Sequence, residues 1–495
     1  MRENATIWPG RMNATDALFW SMDTIPELRS MIGTLIIVER PLERQRLRDE
    51  FERLSENFVR MRQRVVEVPW NLAPPEWVLD EQFDLDYHLR SIAIPGPGGM
   101  PELLSEVSPL FATPLDRSRP LWEAYLAEGL LGGRGAVFIK MHHCLIDGVG
   151  GTRLAEHFMT EAGPVGARAE PAAARGRSPA DRAVGRTDTS PAALLYRAQL
   201  HNLGEAMSLA AALASSALAV AYDLPGALRG AWRGARMLAG FASELIATPA
   251  ESPLHRRRSL SRRLATFEIP LADVDRVRSR LTATNNDVVL AIVSGAMHRW
   301  HTSRGADVKQ LRALVPVNLR EEGDPAGGNR IALLAVPLPI GEPDPVGRLR
   351  LIQERMTRVK SDRRAALYPV LARAMTLVPF AFAAAIGQQQ TRRANFVCTN
   401  VPGPRKPVYL AGQLVEAIYP YAPLVGDHPV AIALLSYRDR MCVGLDVDPI
   451  AMPDLPFFVD ALGESLDEMV NVSRRAPIVS HDEEAPAAIA STSLH

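Results

Sequence analysis

The chain has 495 residues, of which 47% are hydrophobic and 23% charged; this composition is typical of a globular protein with two or more domains and argues against overall disorder. The 56 basic and 56 acidic residues cancel, which excludes the strongly basic character of a typical nucleic-acid-binding protein. The three cysteines, Cys144, Cys398 and Cys442, are too few for a disulfide framework and fit a reducing cytoplasm.

Nothing in the sequence predicts a membrane-spanning helix. The N-terminus lacks the apolar core of a secretory signal peptide. Two uncharged apolar runs, 206–222 and 374–390, are each 17 residues long, at the low limit for a membrane span. The first is rich in alanine, and the second contains Pro379 and ends in three glutamines. We therefore expect a cytoplasmic protein that is soluble or peripherally attached to a membrane.

Residues 12–160 have the pattern of a mixed α/β unit. Short, mostly apolar runs at 32–39 and 136–143 predict strands. The charged stretch 42–65 has spaced apolar residues and predicts a helix. A second helix is expected over 152–161, with Thr152 as its N-cap.

The composition changes near residue 163, where a stretch rich in Ala, Arg, Gly and Pro indicates a flexible linker. The helical pattern returns over 192–248. Within it, 224–246 places three arginines on one face and apolar residues on the other, which fits a helix on an anionic membrane or one packed on a lobe. The basic residues at 255–258 and 262–263 either bind CoA phosphates, bind lipid headgroups or have no ligand.

A second α/β unit is predicted over about 264–472. Residues 264–269 predict a strand, and 286–300 predict an apolar helix. Residues 430–437 and 441–447 predict two strands joined by a tight turn. The small, polar and acidic tail after residue 475 is expected to be disordered.

The most informative segment is 135–151, GAVFIKMHHCLIDGVGG. Alternation along a strand places His143 on one face with Val137, Ile139 and Met141, and His142 on the other. A partly shielded neutral imidazole is a good general base, since the ordinary pKa of histidine is about 6.5. Asp147 either orients this histidine or holds the turn that follows.

Each feature of this segment has a simpler explanation. A histidine on an apolar face is most often a satisfied core residue. A zinc site needs three or four converging ligands, and the sequence has no second cluster with that spacing. Cys144 next to His143 suggests a Cys-His nucleophile, but neighbouring residues on a strand point apart. The residues alone therefore leave a catalytic His143 and a structural one about equally supported.

Seven residues, His142-His143-Cys144-Leu145-Ile146-Asp147-Gly148, match the HHxxxDG motif of coenzyme A-dependent acyltransferases. The surrounding blocks resemble those of the bacterial wax ester synthase/diacylglycerol acyltransferase family. They occur in the expected order over 12–470: FDLDYHLR (83–90), TPLDRSRPLWE (113–123), NDVVLA (286–291), VPVNLR (315–320) with GN (328–329), TNVPGP (399–404) and SY (436–437). The sequence departs from the family at 12–16 and 26–30, where the family has Ser-Pro-x-Asp-like and Pro-Met-His-like stretches.

The resemblance implies an α/β chloramphenicol acetyltransferase-like fold, with two mixed-sheet lobes and a substrate tunnel between them. We expect an N-terminal lobe at 1–162, a linker with amphipathic helices at 163–263, a C-terminal lobe at 264–475 and a tail at 476–495. By the same resemblance His143 is the general base in the tunnel and Asp147 an architectural partner. His142 and Gly148 support the motif, and Asn286 either caps its helix or donates into the tunnel.

The family also implies the chemistry. Long-chain acyl-CoA is the expected donor, and diacylglycerol or a long-chain alcohol the acceptor, drawn from a membrane or lipid-droplet surface. Neither a metal, a cofactor nor a covalent nucleophile is expected. The alternatives are a related acyltransferase acting on another lipid or polyketide alcohol, and an inactive protein that binds lipid droplets. The sequence leaves the acceptor preference, the acyl chain length and the oligomeric state undetermined.

Overall fold

The structure is a computed structural model and describes residues 10–145, 158–161, 187–222, 225, 232, 251–318, 331–360 and 394–475. The strands are β1 Met31–Val38, β2 Gln63–Val66, β3 Glu76–Leu79, β4 Leu89–Ala93, β5 Trp122–Glu128, β6 Gly135–His142, β7 Arg263–Pro270, β8 Leu311–Asn318, β9 Ile331–Leu338, β10 Phe396–Val401, β11 Tyr409–Leu410, β12 Gln413–Tyr421, β13 Val430–Tyr437 and β14 Arg440–Val447. The α-helices are α1 Ala14–Met22, α2 Arg44–Asn57, α3 Leu85–His88, α4 Met100–Ala112, α5 Pro191–Tyr222, α6 Leu271–Leu281, α7 Asn285–Thr302, α8 Pro345–Lys360 and α9 Leu455–Arg475.

The described strands form two large mixed sheets and a separate β2–β3 hairpin. The first sheet has the order β11-β12-β1-β6-β5-β4, antiparallel except for the parallel β4–β5 pair. Helix α2 buries Leu47, Phe51 and Leu54 in the core of this lobe. Strand β6 is buried along its whole length, which explains its nearly continuous apolar sequence.

The second sheet has the order β7-β14-β13-β10-β8-β9. Strand β10 is parallel to both of its neighbours, β13 and β8. Helix α7 packs against this sheet and is buried from Asp287 to Met297, as expected of a helix that is apolar on all sides. Helices α8 and α9 complete the same core.

The C-terminal half of the chain contributes two strands to the first sheet. Strands β11 and β12 lie between β10 and β13 in the sequence, yet both belong to the first sheet, where β12 pairs antiparallel with β1. Leu35 of β1 lies opposite Tyr419 of β12, and β1 pairs with β6 on its other side. The first sheet is therefore built from both halves of the chain.

Two close contacts fasten the lobes where the strands cross. Gly444 on β14 lies so near β12 that a Cβ atom would overlap the carbonyl oxygen of Pro420. The buried guanidinium of Arg258 donates to the carbonyl oxygens of Glu27, in the N-terminal half of the chain, and Leu424, in the C-terminal half. These contacts fix the first sheet against the second.

Most of the predicted elements are confirmed. The strands expected at 32–39, 264–269, 430–437 and 441–447 correspond to β1, β7, β13 and β14, and the helix at 286–300 to α7. The helical stretch that begins at 192 corresponds to α5 as far as Tyr222. The structural matches described below confirm the fold class, whereas the predicted domain boundaries stay a prediction.

Two element predictions need correction. The helix predicted over 42–65 ends at Asn57, because Val59–Arg62 form a 3-10 turn and Gln63 begins β2. In that strand Val65 and Val66 pair with the β3 strand, which suits β-branched residues better than a helix does. The helix predicted over 152–161 does not extend to its expected end, since Thr160 forms a β-bridge with Tyr409; 152–157 lie outside the described residues.

Several predictions fall on parts of the chain that the structure does not describe: most of the linker, most of 224–246, and the tail after Arg475. In the described residues, no helix combines the length and the hydropathy needed to span a membrane.

The close approach at Gly444 yields a stability prediction. Overpacking a core typically costs about 1–3 kcal/mol, so Gly444→Ala is expected to lower the free energy of unfolding by at least that amount. Gly204→Ala on α5 is the matched control, because its Cβ meets no atom within 4 Å and alanine favours a helix by about 0.5–1 kcal/mol. Urea unfolding of both variants measures the difference, and equal midpoints would contradict the packing argument.

Candidate active site

His143 lies where β6 ends. The strand runs to His142, and His143 begins a 3-10 turn over His143–Leu145. The backbone N–H of His143 donates to the carbonyl oxygen of Ser30 at 2.8 Å, one residue before β1. This bond keeps the register of the β1–β6 pairing, but the 3-10 turn already begins at His143. The prediction that His143 continues the strand face of Met141 is therefore wrong, because the strand ends at His142.

The imidazole of His143 is stacked on Phe19 of α1. The ring centroids are 4.6 Å apart and the planes are inclined by 24°. Although part of the side chain remains accessible to solvent, burial among apolar groups, aided by His142, lowers the pKa of His143 to about 4. The imidazole is therefore neutral at physiological pH and able to accept a proton.

His142 has different partners from His143. It is buried, and its Nδ1 accepts a hydrogen bond from the backbone N–H of Cys144 at 3.2 Å and lies 2.9 Å from the Cys144 Sγ. Its Nε2 lies 3.3 Å from Oδ1 of Asp23, the residue that ends α1. His142 thus ties α1 to the turn that carries His143.

The carboxylate of Asp23 is held in its charged form. Burial acts to raise the pKa of Asp23, but His142, Arg117 and Arg29 outweigh that effect and the pKa lies below its ordinary value. A negative charge beside the buried imidazole favours the tautomer with its proton on Nε2, since Nδ1 accepts from Cys144. This geometry assigns His142 a structural role.

Helix α1 was not singled out for the site by sequence reasoning. Asn13 caps it by accepting from the backbone N–H of Asp16 at 2.8 Å. Phe19, on the helix, and Asp23, at its end, are spaced four residues apart, which places both on the same side to contact the two histidines. That spacing is the signal available in the sequence, but nothing local shows which residues they meet.

A second set of contacts joins α1 to the PLDRSRPLWE block. The indole N–H of Trp20 donates to Glu67 at 2.9 Å. Arg117 lies 3.6 Å above the Trp20 ring and 3.0 Å from the same carboxylate. The block therefore helps to hold α1 in place, since a guanidinium stacked on indole and paired with an acid restrains both groups.

The start of that block is fixed by a buried lysine. Lys140 on β6 lies 2.8 Å from Glu123 and donates to the carbonyl oxygens of Leu110 and Thr113, both at 3.0 Å. The hydroxyl of Tyr125 donates to Glu123 at 2.6 Å. All three ammonium donors are satisfied, which a fully buried lysine requires. Lys140 and Glu123 are therefore structural.

His88, in the FDLDYHLR block, is also structural. Its Nδ1 is 2.7 Å from the carbonyl oxygen of Trp122, and its ring stacks on the indole at 4.7 Å. The Trp122 N–H donates to the carbonyl oxygen of Met61 at 2.8 Å. The histidine and the tryptophan of two separate blocks thus form one buried cluster beneath the sheet.

Asn286 lies at the start of α7 in the second lobe. The predicted capping role is wrong, because Thr284 is the N-cap and forms a capping box with Asp287. Asn286 is partly exposed in the first turn of the helix, and its role in a tunnel stays a prediction. Asp147 and Gly148 lie outside the described residues, so the roles inferred for them stay predictions as well.

Two residues of the basic segment at 255–263 are not free to bind a ligand. Arg258 is committed to the lobe junction, and Arg262 is paired with the buried carboxylate of Asp446. Arg262 also lies 4.7 Å from the ring of Phe111, in the first lobe. Of the three alternatives left open by the sequence, the structure therefore favours the absence of a ligand for these two arginines.

Comparison with known proteins gives consistent matches over most of the chain. Residues 12–289 match the wax ester synthase/diacylglycerol acyltransferase catalytic domain, and 327–470 match the WS/DGAT C-terminal domain. A probable diacylglycerol O-acyltransferase of Mycobacterium tuberculosis is 30% identical over 94% of this chain and 97% of its own length. A putative diacylglycerol O-acyltransferase of Mycobacterium bovis is 32% identical over 94% and 92%.

Solved structures show the same similarity. A wax ester synthase/diacylglycerol acyltransferase from Marinobacter aquaeolei VT8 is 25% identical, with a TM-score of 0.61 over 94% of this chain and 100% of that one. The first condensation domain of the calcium-dependent antibiotic synthetase is 18% identical, with a TM-score of 0.56 over 96% and 98%, and shares the fold. These matches confirm the predicted α/β fold of the chloramphenicol acetyltransferase-like type.

Burial makes the three thiols unreactive. It raises the pKa of Cys144 well above its ordinary value, that of Cys398 to about 12 and that of Cys442 to about 11. Because the thiolate is the reactive form, none is expected to react with Ellman's reagent within minutes at pH 8, whereas all three react in denaturant. Leu131→Cys, at an exposed position, is the control and adds one fast equivalent. A fast equivalent in the wild-type protein would contradict this description of the site.

Proposed function

The chain belongs to the wax ester synthase/diacylglycerol acyltransferase family and is an acyltransferase, and from this premise we propose that it transfers a long-chain acyl group from acyl-CoA to diacylglycerol, with His143 as the general base. A long-chain alcohol is proposed as a second acceptor, because the Marinobacter structure is that of a wax ester synthase as well.

The observation that carries the proposal is the environment of His143. Its imidazole is neutral at physiological pH, since the pKa is lowered to about 4, and its orientation is restrained by the stacked ring of Phe19. A neutral, oriented imidazole is ready to take a proton from a hydroxyl without first losing one. The buried, high-pKa thiol of Cys144 supports direct transfer over a cysteine intermediate.

In the proposed step, His143 accepts the hydroxyl proton of the acceptor as its oxygen attacks the thioester carbonyl. A tetrahedral oxyanion forms and collapses with cleavage of the C–S bond. The imidazolium returns the proton to the departing CoA thiolate, so that ester and CoA thiol are the products. A positioned base typically accelerates such a reaction about 10²–10⁴-fold. The balance requires neither a metal nor an enzyme nucleophile.

The two substrates are proposed to meet in a tunnel between the lobes, as the resemblance implies. Support comes from the position of His143 at the end of β6, beside the first residues of β1, which is the strand held by both halves of the chain. Because both acceptors are lipids, we also propose that the protein works at the surface of a membrane or a lipid droplet.

The activity is tested by measuring release of CoA thiol from palmitoyl-CoA, with dioleoylglycerol or hexadecanol as acceptor. Thiol release that depends on the acceptor is expected, and its absence with every lipid alcohol contradicts the proposed function. His143→Ala is expected to lower the rate by about 10²-fold or more. His201→Ala on α5 is the control, and a His143→Ala rate above about a tenth of wild type excludes the base role.

The pH dependence tests the protonation state. Since only the neutral imidazole acts as a base, kcat/KM is expected to fall as the pH drops through about 4 and to be constant between about pH 6 and 8. Rates are measured after brief exposure to each pH, with recovery at pH 7 to exclude unfolding. An inflection near 6.5, the ordinary value for histidine, would contradict a desolvated His143.

A further inference from the structure

Helix α5 carries an exposed apolar stripe. Tyr196, Leu200, Leu203 and Met207 are between 52% and 66% exposed. Their spacing of four, three and four residues places them on one face of the helix. Large apolar side chains arranged contiguously on a surface indicate an interaction site, whereas single exposed ones do not.

The opposite face of α5 is the one that packs on the protein. Leu194 and Ala198 are buried there. Arg197 holds the helix to the first lobe through Glu76, with an Nη2–Oε2 distance of 2.8 Å. Two faces of one helix are therefore apolar, and only one of them is used within the chain.

A neighbouring loop lies beside α5 and carries further exposed apolar residues. The side chain of Asn202 donates to the carbonyl oxygen of Leu72 at 2.8 Å, which places the turn at 69–72 beside α5. Trp70 in this turn is 80% exposed, and its φ of 57° is unusual for so bulky a residue. Leu72 is also exposed. We call Trp70, Leu72 and the four residues of the stripe the α5 face.

The charges around the α5 face show which partner fits it. From Ala198 to Tyr222 the sequence has one charged residue, Glu205, which is only partly exposed and is spaced in phase with Leu194 and Ala198. The sequence that follows, 224–257, stops before the paired Arg258 and Arg262 and contains 5 Arg and 2 Glu. An uncharged apolar face with an exposed indole, continued by a basic segment, complements an apolar layer beneath anionic headgroups.

We propose that the α5 face docks the protein on an anionic phospholipid surface, with α5 lying in the interface and Trp70 inserted at headgroup depth. The proposal deepens the proposed function and depends on it only for the lipid substrates.

The test uses the full-length protein and vesicles of phosphatidylglycerol and phosphatidylcholine. The triple variant Leu200→Gln, Leu203→Gln, Met207→Gln is expected to bind at least tenfold more weakly in co-sedimentation. Trp70→Asn is expected to weaken binding several-fold, and asparagine tolerates the positive φ. Ile450→Gln replaces an exposed apolar residue of the other lobe and is the matched control, with unchanged binding.

A spectroscopic measurement separates insertion from loss of folding. Trp232, the other largely exposed tryptophan among the described residues, is first replaced by Phe. Lipids brominated in the acyl chain are expected to quench the tryptophan fluorescence of this protein, and adding Trp70→Asn is expected to remove most of that quenching. Thermal unfolding of the variants should match wild type, because the substituted side chains are exposed. Binding that is equal in the wild type, the triple variant and Trp70→Asn overturns the proposal.

The remaining outcomes are also decisive. If the wild-type protein is a dimer that the triple variant converts to a monomer, and vesicle binding is unchanged, the α5 face joins copies of this chain and the proposal is wrong. If vesicle binding depends on the α5 face but no lipid acceptor supports thiol release, the docking surface stands and the proposed function fails. If thiol release occurs but vesicle binding is unaffected by the substitutions in the α5 face, only the docking proposal fails.

Discussion

The antiparallel pairing of β1 with β12 is the interaction on which the rest of the structure depends. Strand β1 is held on one side by β6, its partner in the N-terminal half, and on the other by a strand from the C-terminal half. His143 follows β6 directly, and its backbone is bonded to Ser30, immediately before β1. The position of the imidazole is thus set by a sheet that neither half of the chain completes alone. Gly444 secures this arrangement by letting two backbones approach closely, and Arg258 does so by donating from its buried guanidinium to two backbone carbonyl oxygens.

Local elements could be predicted from the sequence because their signals are local. The apolar run of β1 and the apolar helix α7 were predicted to within one or two residues at each end. The pairing of β12 with β1 could not be predicted in this way. Alternation in the sequence of β12 indicates a strand but does not identify its neighbour, and Tyr419 lies nearly 400 residues from its partner Leu35. The capping role considered for Asn286 is wrong for a similar reason, because it too depends on a partner that the residue type does not identify. A capping box depends on which threonine or asparagine precedes the helix, and Thr284 is two residues earlier.

Only part of the candidate site could be predicted from the sequence, for a related reason. The motif identifies His143 by sequence alone, whereas the residues that orient it lie on α1, more than 100 positions earlier. The contacts of Phe19 and Asp23 with the two histidines are evident only in the structure, where α1 packs against the turn that carries His143. The basic segment shows the converse. Arg258 and Arg262 looked available for phosphates, but charge in a sequence does not distinguish an exposed guanidinium from one that is buried and saturated by carbonyl and carboxylate oxygens.

A histidine with a pKa of about 4 is a weak base at neutral pH, because proton transfer is most favourable when the pKa of the base is near the working pH. This pKa describes the free enzyme, in which protonation would form an imidazolium in a poorly solvated place with no opposite charge formed beside it. During the proposed reaction the imidazolium forms together with the oxyanion of the tetrahedral intermediate. The same scarcity of water that penalises one charge strengthens the attraction between two opposite ones. Desolvation therefore keeps the resting imidazole neutral. The free-energy cost of forming the imidazolium is offset only when the oxyanion of the intermediate forms beside it. In the proposed mechanism, the shielding of His143 by Phe19 and the buried His142 therefore serves the reaction as well as the packing.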